Sequence, residues 1–250
     1  WNIDLKVPCF SRLCAQDWED FVHSVNVDAN PADYIQPLEN EHKLFGCDLW
    51  LEITAKIPPI GCTKVLDLML VLDRSGSINA TELQTLKDAA NAFVTALTPT
   101  ADGVHIGQTS FSTTGSLDLH LTDVEADAHT AINALAAGGF TNLKEGIELA
   151  NGELDNAHLH ERPLAPDVMV IITDGAPNRP VGTASVGAAT AADAARAAGI
   201  EVFVVGVGVI AGTETYLKDE IADDSAHYFA AVDFDDLQAI LTELAVCPED

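Results

Sequence analysis

Positive charge is what this 250-residue chain has least of: 12 Lys and Arg stand against 39 Asp and Glu, a formal net charge of -27 at pH 7. Charged residues are only 20% of the chain, so the imbalance comes from scarce Lys and Arg rather than from crowded acids. Such a surface excludes nucleic acid and anionic lipid as partners, because both need basic patches to release counterions. It suits a salt-exposed protein and attracts divalent cations. Long apolar runs are missing too. No stretch approaches the roughly 18 to 20 apolar residues that a membrane span needs, and the run Val65–Leu72 carries Asp67. No basic segment followed by an apolar one opens the chain, and it begins at Trp1 rather than Met, as a processed chain or a fragment does.

Paired metal-binding cysteines are also absent. Cys9, Cys14, Cys47, Cys62 and Cys247 form no CxxC, and no His or Cys stands at zinc-finger spacing, which argues against a structural zinc. Disulfides are the expectation, and with them an oxidising, extracellular or cell-surface location. The count is odd, so one thiol is left over or pairs outside the chain. The eight histidines contain no HExxH and no i,i+4 helical pair, and His158 and His160 read as surface residues near a helix end. There is no GxSxG elbow and no phosphate-binding glycine loop. Gly206-Val207-Gly208 lacks the final glycine of a dinucleotide loop and reads as a strand end.

Two modules differ in character. Residues 1–60 hold seven aromatics (Trp1, Phe10, Trp18, Phe21, Tyr34, Phe45, Trp50) and three of the five cysteines. Asn30-Pro31 and Pro58-Pro59 punctuate the segment, and residues 48–54 alternate like a half-buried strand. A small, disulfide-containing, β-rich module is expected there, of marginal size for a core of its own.

Residues 61–250 alternate strands with helices. Val65–Leu72 and Asp167–Thr173 are apolar runs suited to strands buried on both faces. Asn79-Ala80-Thr81-Glu82 has the form of a capping box, and the helix it opens carries Leu83, Leu86, Ala90, Phe93 and Leu97 on one stripe. As a cap, Asn79 is not free for the glycan that its Asn-Ala-Thr sequon suggests. Strands at 104–112 and 117–121 form a hairpin. Helices follow at about 124–136 and 142–157, then one at 184–198 capped by Gly199. A strand at 202–209, a helix near 214–223, a short strand at 227–232 and a helix at 234–245 complete the series. The fold class is α/β: a doubly wound, mostly parallel sheet with helices on both faces and ligands at the carboxyl edge.

Three loops stand at that edge: Asp73-Arg74-Ser75-Gly76-Ser77, Gly138-Gly139-Phe140-Thr141-Asn142, and Thr173-Asp174-Gly175-Ala176-Pro177-Asn178. Together they offer two carboxylates and three hydroxyls, hard oxygen donors that suit Mg²⁺, with Ca²⁺ or Mn²⁺ as alternatives. Ser77 and Thr141 also precede helices, whose amino ends favour anions. Taken singly the residues have ordinary explanations: Thr141 as an N-cap, Ser75 and Ser77 as turn residues, Asp174 as a turn former before Gly175. Taken together they point to one ion.

The combination Asp-x-Ser-x-Ser, Gly-Gly-x-Thr and Thr-Asp-Gly, in this order, resembles the metal-ion-dependent adhesion site of von Willebrand factor A and integrin inserted domains, over about residues 62–247. The resemblance implies Ser75, Ser77 and Thr141 as direct ligands, with Asp73 and Asp174 binding directly or through water. It leaves a coordination position for an acidic residue of a protein partner. Arg74 occupies a variable place in the motif. Secreted members of the family often tie their termini, so the resemblance also implies a Cys62–Cys247 disulfide, leaving two of Cys9, Cys14 and Cys47 to pair. Inserted domains of the integrin type switch affinity by sliding the last helix, which such a bridge would tether.

Three functions follow as expectations. The first is a secreted or cell-surface adhesion module that binds a partner's carboxylate through a divalent cation. The second is a structural subunit or tip of an extracellular filament or pilus, with residues 1–60 engaging identical subunits. A metal-dependent hydrolase ranks last, since no candidate base accompanies the metal loops.

Overall fold

The computed structural model describes residues 65–245, together with Ile60 and Thr63. All five cysteines, the expected Cys62–Cys247 disulfide and the expected N-terminal strand lie outside the described residues. Six strands form one sheet: β1 (Leu66–Asp73), β2 (Val104–Phe111), β3 (Gly115–Thr122), β4 (Asp167–Thr173), β5 (Glu201–Val207) and β6 (Tyr228–Ala231). Their order is β3-β2-β1-β4-β5-β6. Only β3 is antiparallel, as the return strand of the expected hairpin; the others pair in parallel. The connections leaving β1 and β4 diverge to opposite sides, which opens a crevice at the carboxyl edge between these two strands.

Helices cover both faces. On one side α1 (Ala80–Leu97), α2 (Glu125–Ala134) and α6 (Phe234–Ala245) pack on Leu66, Leu68, Leu70 and Leu72. On the other, α3 (Leu143–Glu153) and α4 (Ala184–Ala198) pack on Met69 and Val71. Every residue of β1 is buried, which is why its sequence is a run of apolar side chains rather than an alternation. The capping box is present: Asn79 Oδ1 accepts from the Thr81 and Glu82 amides, and Glu82 Oε2 accepts from Asn79 N at 2.8 Å. Gly146 lets α3 approach the sheet, because a Cβ there would stand 2.7 Å from Phe111 Cδ1.

The helix expected over 142–157 is shorter and ends at Glu153. Asp155 competes for the backbone: its Oδ1 accepts from Ala157 N at 2.9 Å, a local turn that replaces helical bonding. The helix expected near 214–223 comprises α5 (Ala211–Tyr216) and a π-turn over Leu217–Ile221, starting three residues earlier.

At the amino edge of the sheet the parallel register sets Asp67 opposite Asp167. Arg162 compensates Asp67, donating from Nε at 2.8 Å and Nη2 at 2.6 Å to Oδ1, while its backbone amide donates to Oδ2 at 2.8 Å. Among the described residues Asp167 has no such partner. Burial, with the charges of Glu161 and Asp67, pushes its carboxyl up to about 7. A carboxylate raised in the fold weakens it as pH climbs from the ordinary carboxylate value through that raised one. Asp167→Asn is therefore expected to raise the melting temperature at pH above about 7 and to have little effect near pH 4. Melting curves of both proteins across that range check this, and an equal shift at both ends would contradict it.

Candidate metal centre

Asp73 ends β1 and is fully buried. The β1–β4 register, which pairs Leu72 with Ile172, puts Asp73 beside Thr173, whose hydroxyl donates to Asp73 Oδ2 at 2.7 Å. The other oxygen, Oδ1, accepts from Ser75 N at 2.8 Å, so the loop turns back over the carboxylate. From there a line of oxygens runs outward. Ser75 Oγ lies 3.0 Å from Ser77 Oγ, and Ser77 Oγ donates to Asp174 Oδ1 at 2.9 Å. Two loops separated by almost 100 residues thus meet side chain to side chain.

The third loop is tied to both. Gly76 N donates to Gly139 O at 3.1 Å, and Gly138 N to Arg74 O at 2.9 Å. Thr141 N donates to Asn178 Oδ1 at 2.9 Å, and Asn178 N returns a bond to Thr141 O at 2.9 Å. Thr141 is buried, with its hydroxyl 3.5 Å from Asn178 Nδ2. Asn142 is the N-cap of α3, its Oδ1 accepting from Glu145 N, so the capping role falls one residue after Thr141.

The carboxylates are held at an energetic cost. Burial pushes Asp73 up to about 6, against the hydrogen bonds from Thr173 and Ser75, and the neighbouring charge of Asp174 adds to the rise. Burial also raises Asp174, opposed by the Ser77 hydroxyl and supported by the charge of Glu82. The nearby guanidinium of Arg74 is turned aside, to Ser110 Oγ and Ser112 Oγ at 3.0 Å each. Two adjacent, desolvated carboxylates with serine hydroxyls alongside, all hard oxygen donors, fit a divalent cation of the Mg²⁺ type. Asp73, Ser75, Ser77 and Asp174 are drawn into one bonded chain, and Thr141 is fastened to the Asp174 loop.

Several supporting residues escaped the sequence. Thr173 stood in the Thr-Asp-Gly motif without a role of its own, and Asn178 stood only as the last residue of the third loop. Arg74, without a role in the motif, braces the first loop against β2. At the rim, Phe140 is 47% exposed and carries the Arg179 guanidinium 3.5 Å above its ring centre. Gly139 has φ +83, and a Cβ there would stand 2.5 Å from Thr113 Oγ1. Gly139→Ala should destabilise the fold by about 1–3 kcal/mol, from left-handed strain plus the clash. The denaturant midpoint reads this; an unchanged midpoint would mean the loop relaxes freely.

Comparison with known proteins agrees with the fold. The family model of the von Willebrand factor type A domain matches residues 67–243. The collagen alpha-5(VI) chain of Mus musculus is 28% identical over 195 residues, covering 74% of this chain and 7% of its own length. Proximal thread matrix protein 1 from the mussel byssus superposes with a TM-score of 0.61 at 22% identity, covering 76% of this chain and 47% of that one. It has also been solved with a zinc-occupied MIDAS motif, the metal-ion-dependent adhesion site. The vWF domain of the type V pili tip protein Mfa5 from Porphyromonas gingivalis gives 0.60 at 15% identity, over 73% of this chain and 94% of that one. At these identities the two structures share the fold, and this chain spans under half of the collagen and thread proteins. With the matching model covering well over half of the chain, the protein belongs to the von Willebrand factor type A domain family.

Proposed function

We propose that this chain is a secreted or cell-surface adhesion module that grips an acidic group of a protein partner through a divalent cation. Asp73, Ser75, Ser77, Thr141 and Asp174 are the proposed ligands. The observation that carries the proposal is the hydrogen-bonded chain from Asp73 through the Ser75 amide and the Ser75 and Ser77 hydroxyls to Asp174, set in the crevice where the strand order diverges. The ion would supply a Lewis-acidic position for a carboxylate. The chain's own residues do the rest. Asp73 and Asp174 balance the charge, Thr173 and Asn178 hold their neighbours in place, and Arg179 with Phe140 offers a cationic and aromatic rim suited to an acidic partner. That rim matters because the chain as a whole is strongly acidic and would otherwise repel such a partner.

The names of the relatives, a collagen chain, a thread matrix protein and a pilus tip protein, support an extracellular setting and a non-enzymatic role. The thread and pilus relatives also favour a second reading, a component of an extracellular filament in which residues 1–60 engage identical subunits. The two differ in what the ion does. Adhesion requires it for partner capture, whereas a purely architectural subunit assembles without it.

In a pull-down from a surface-protein extract, capture is expected with Mg²⁺ and not with chelator, and Asp73→Ala and Thr141→Ala should abolish it. Capture that ignores the cation would favour the filament reading. The ion should also stabilise the fold more at about pH 7.5 than at about pH 5, since at the lower pH it must displace the proton that burial leaves on Asp73. Melting temperatures with and without Mg²⁺ at both values test this. Asn178→Ala, which touches the ion only through Thr141, is expected to weaken Mg²⁺ binding by about 10- to 100-fold with the fold intact; calorimetric titration of Mg²⁺ measures it.

A further inference from the structure

A second cluster of metal-ligating side chains lies at the opposite edge of the sheet. Glu153, the last residue of α3, is 1% exposed. Its Oε1 accepts from Leu121 N at 2.9 Å. Among the described residues its ion-pair partners are three imidazoles and no Lys or Arg. His120 Nδ1 is 2.9 Å from Oε2, His158 Nε2 is 3.5 Å from Oε2, and His160 Nδ1 is 3.6 Å from Oε1. One ligand atom from each of the four residues lies within 4.8 Å of all the others.

Two further observations point to an ion. The rings crowd together, with centroids 4.4 Å apart for His120 and His160, 5.4 Å for His158 and His160, and 5.8 Å for His120 and His158. The Nδ1 atoms of His158 and His160 are buried and have no hydrogen-bond partner among the described residues, an expensive arrangement for a polar atom. A tetrahedral zinc with ligands at about 2.1 Å sets its ligand atoms about 3.4 Å apart; the His158 and His160 atoms already stand 3.5 and 3.6 Å from Glu153, whereas His120, at 2.9 Å, must move out slightly and any wider pair must draw in. Two of the four residues sit on the segment 154–166, which lacks helix and strand and can make that adjustment.

We propose that His120, Glu153, His158 and His160 form a structural site for a transition-metal dication of the zinc type. Three imidazole nitrogens and one carboxylate oxygen suit zinc and are a poor set for Mg²⁺ or Ca²⁺, which need oxygen throughout. The site is separate from the oxygen-only crevice. Strand β3 runs antiparallel, so its carboxyl end, with His120, lies level with the start of β2 (Ile106 opposite Thr122), whereas Asp73 lies level with the end of β2 (Phe111). The ion would neutralise the buried Glu153 and staple three pieces together: the edge strand β3, the carboxyl end of α3, and the irregular segment leading into β4. The sequence gives no sign of this cluster, because His120 and Glu153 come from elements 33 residues apart that only the fold brings to His158 and His160.

The test uses the full chain, stripped with chelator and reloaded with ZnCl₂, with Thr141→Ala in the background to remove the crevice as a competing site. Metal content is measured by native mass spectrometry before and after His158→Gln/His160→Gln, and again for His120→Gln alone. The histidine changes are expected to remove one zinc per chain and to lower the zinc-dependent rise in melting temperature. Any zinc held by the cysteines stays constant across these variants. Cobalt reloading should give a visible d–d band of four-coordinate intensity that survives Thr141→Ala and excess Mg²⁺ but is lost in the double histidine variant. Equal zinc content and an unchanged cobalt spectrum with and without the histidines would overturn the proposal and leave the cluster as an imidazole–carboxylate packing motif.

Discussion

Much of this molecule depends on the parallel pairing of β1 with β4. One register places Leu72 beside Ile172, and the next residue along each strand is the polar one: Asp73 on β1 and Thr173 on β4. The resulting buried bond satisfies a carboxylate oxygen that would otherwise be stranded in a dry interior. It also sets the floor of the crevice, because both loops leave from its two ends. A one-residue slip would turn every side chain of β1 to the other face and separate the pair. The apolar packing of Leu66, Leu68, Leu70 and Leu72 on one side and Met69 and Val71 on the other resists such a slip. Core packing therefore holds the chemistry in place.

The same register concentrates negative charge at both edges. At the amino edge Asp67 and Asp167 face each other, and Arg162 compensates the more buried of the two. At the carboxyl edge Asp73 and Asp174 approach without a cationic side chain between them, since Arg74 is engaged by Ser110 and Ser112. In a chain with 12 Lys and Arg against 39 acids, most acidic clusters must be balanced by something other than a basic residue. The metal ions proposed at the carboxyl edge and beside Glu153 would both answer the same shortage. One is built from oxygen and suits a hard cation. The other is rich in imidazole and suits a softer one.

The crevice is stiffened by backbone as well as side chain. Gly76 bonded to Gly139, Gly138 bonded to Arg74, and the two-way contact between Thr141 and Asn178 make the three loops a single unit. Preorganisation of this kind spares a bound partner the entropy of ordering loops. The exposed Phe140 under Arg179 stands on that rigid base, as an anchor of the proposed binding surface should.

The fold class and most element positions were legible in the sequence because they rest on local rules. Apolar runs mark strands buried on both faces, Asn79 and Glu82 cap α1, and Gly199 ends α4 in the left-handed conformation that glycine allows. The five oxygen-bearing residues proposed as ligands could be named from the sequence too, since each falls in or beside a short loop at a strand or helix end. Tertiary structure alone decided the partners of those residues. Nothing in residues 73–77 announces Thr173 as their partner, Asn178 is only the last residue of a loop, and Glu153 and His120 look like ordinary helix and edge-strand residues until β3 and α3 meet. The reason is physical: periodicity and capping are set within a few residues of chain, whereas a hydrogen bond or a ligand cluster spanning a hundred residues exists only once the register of the sheet is set.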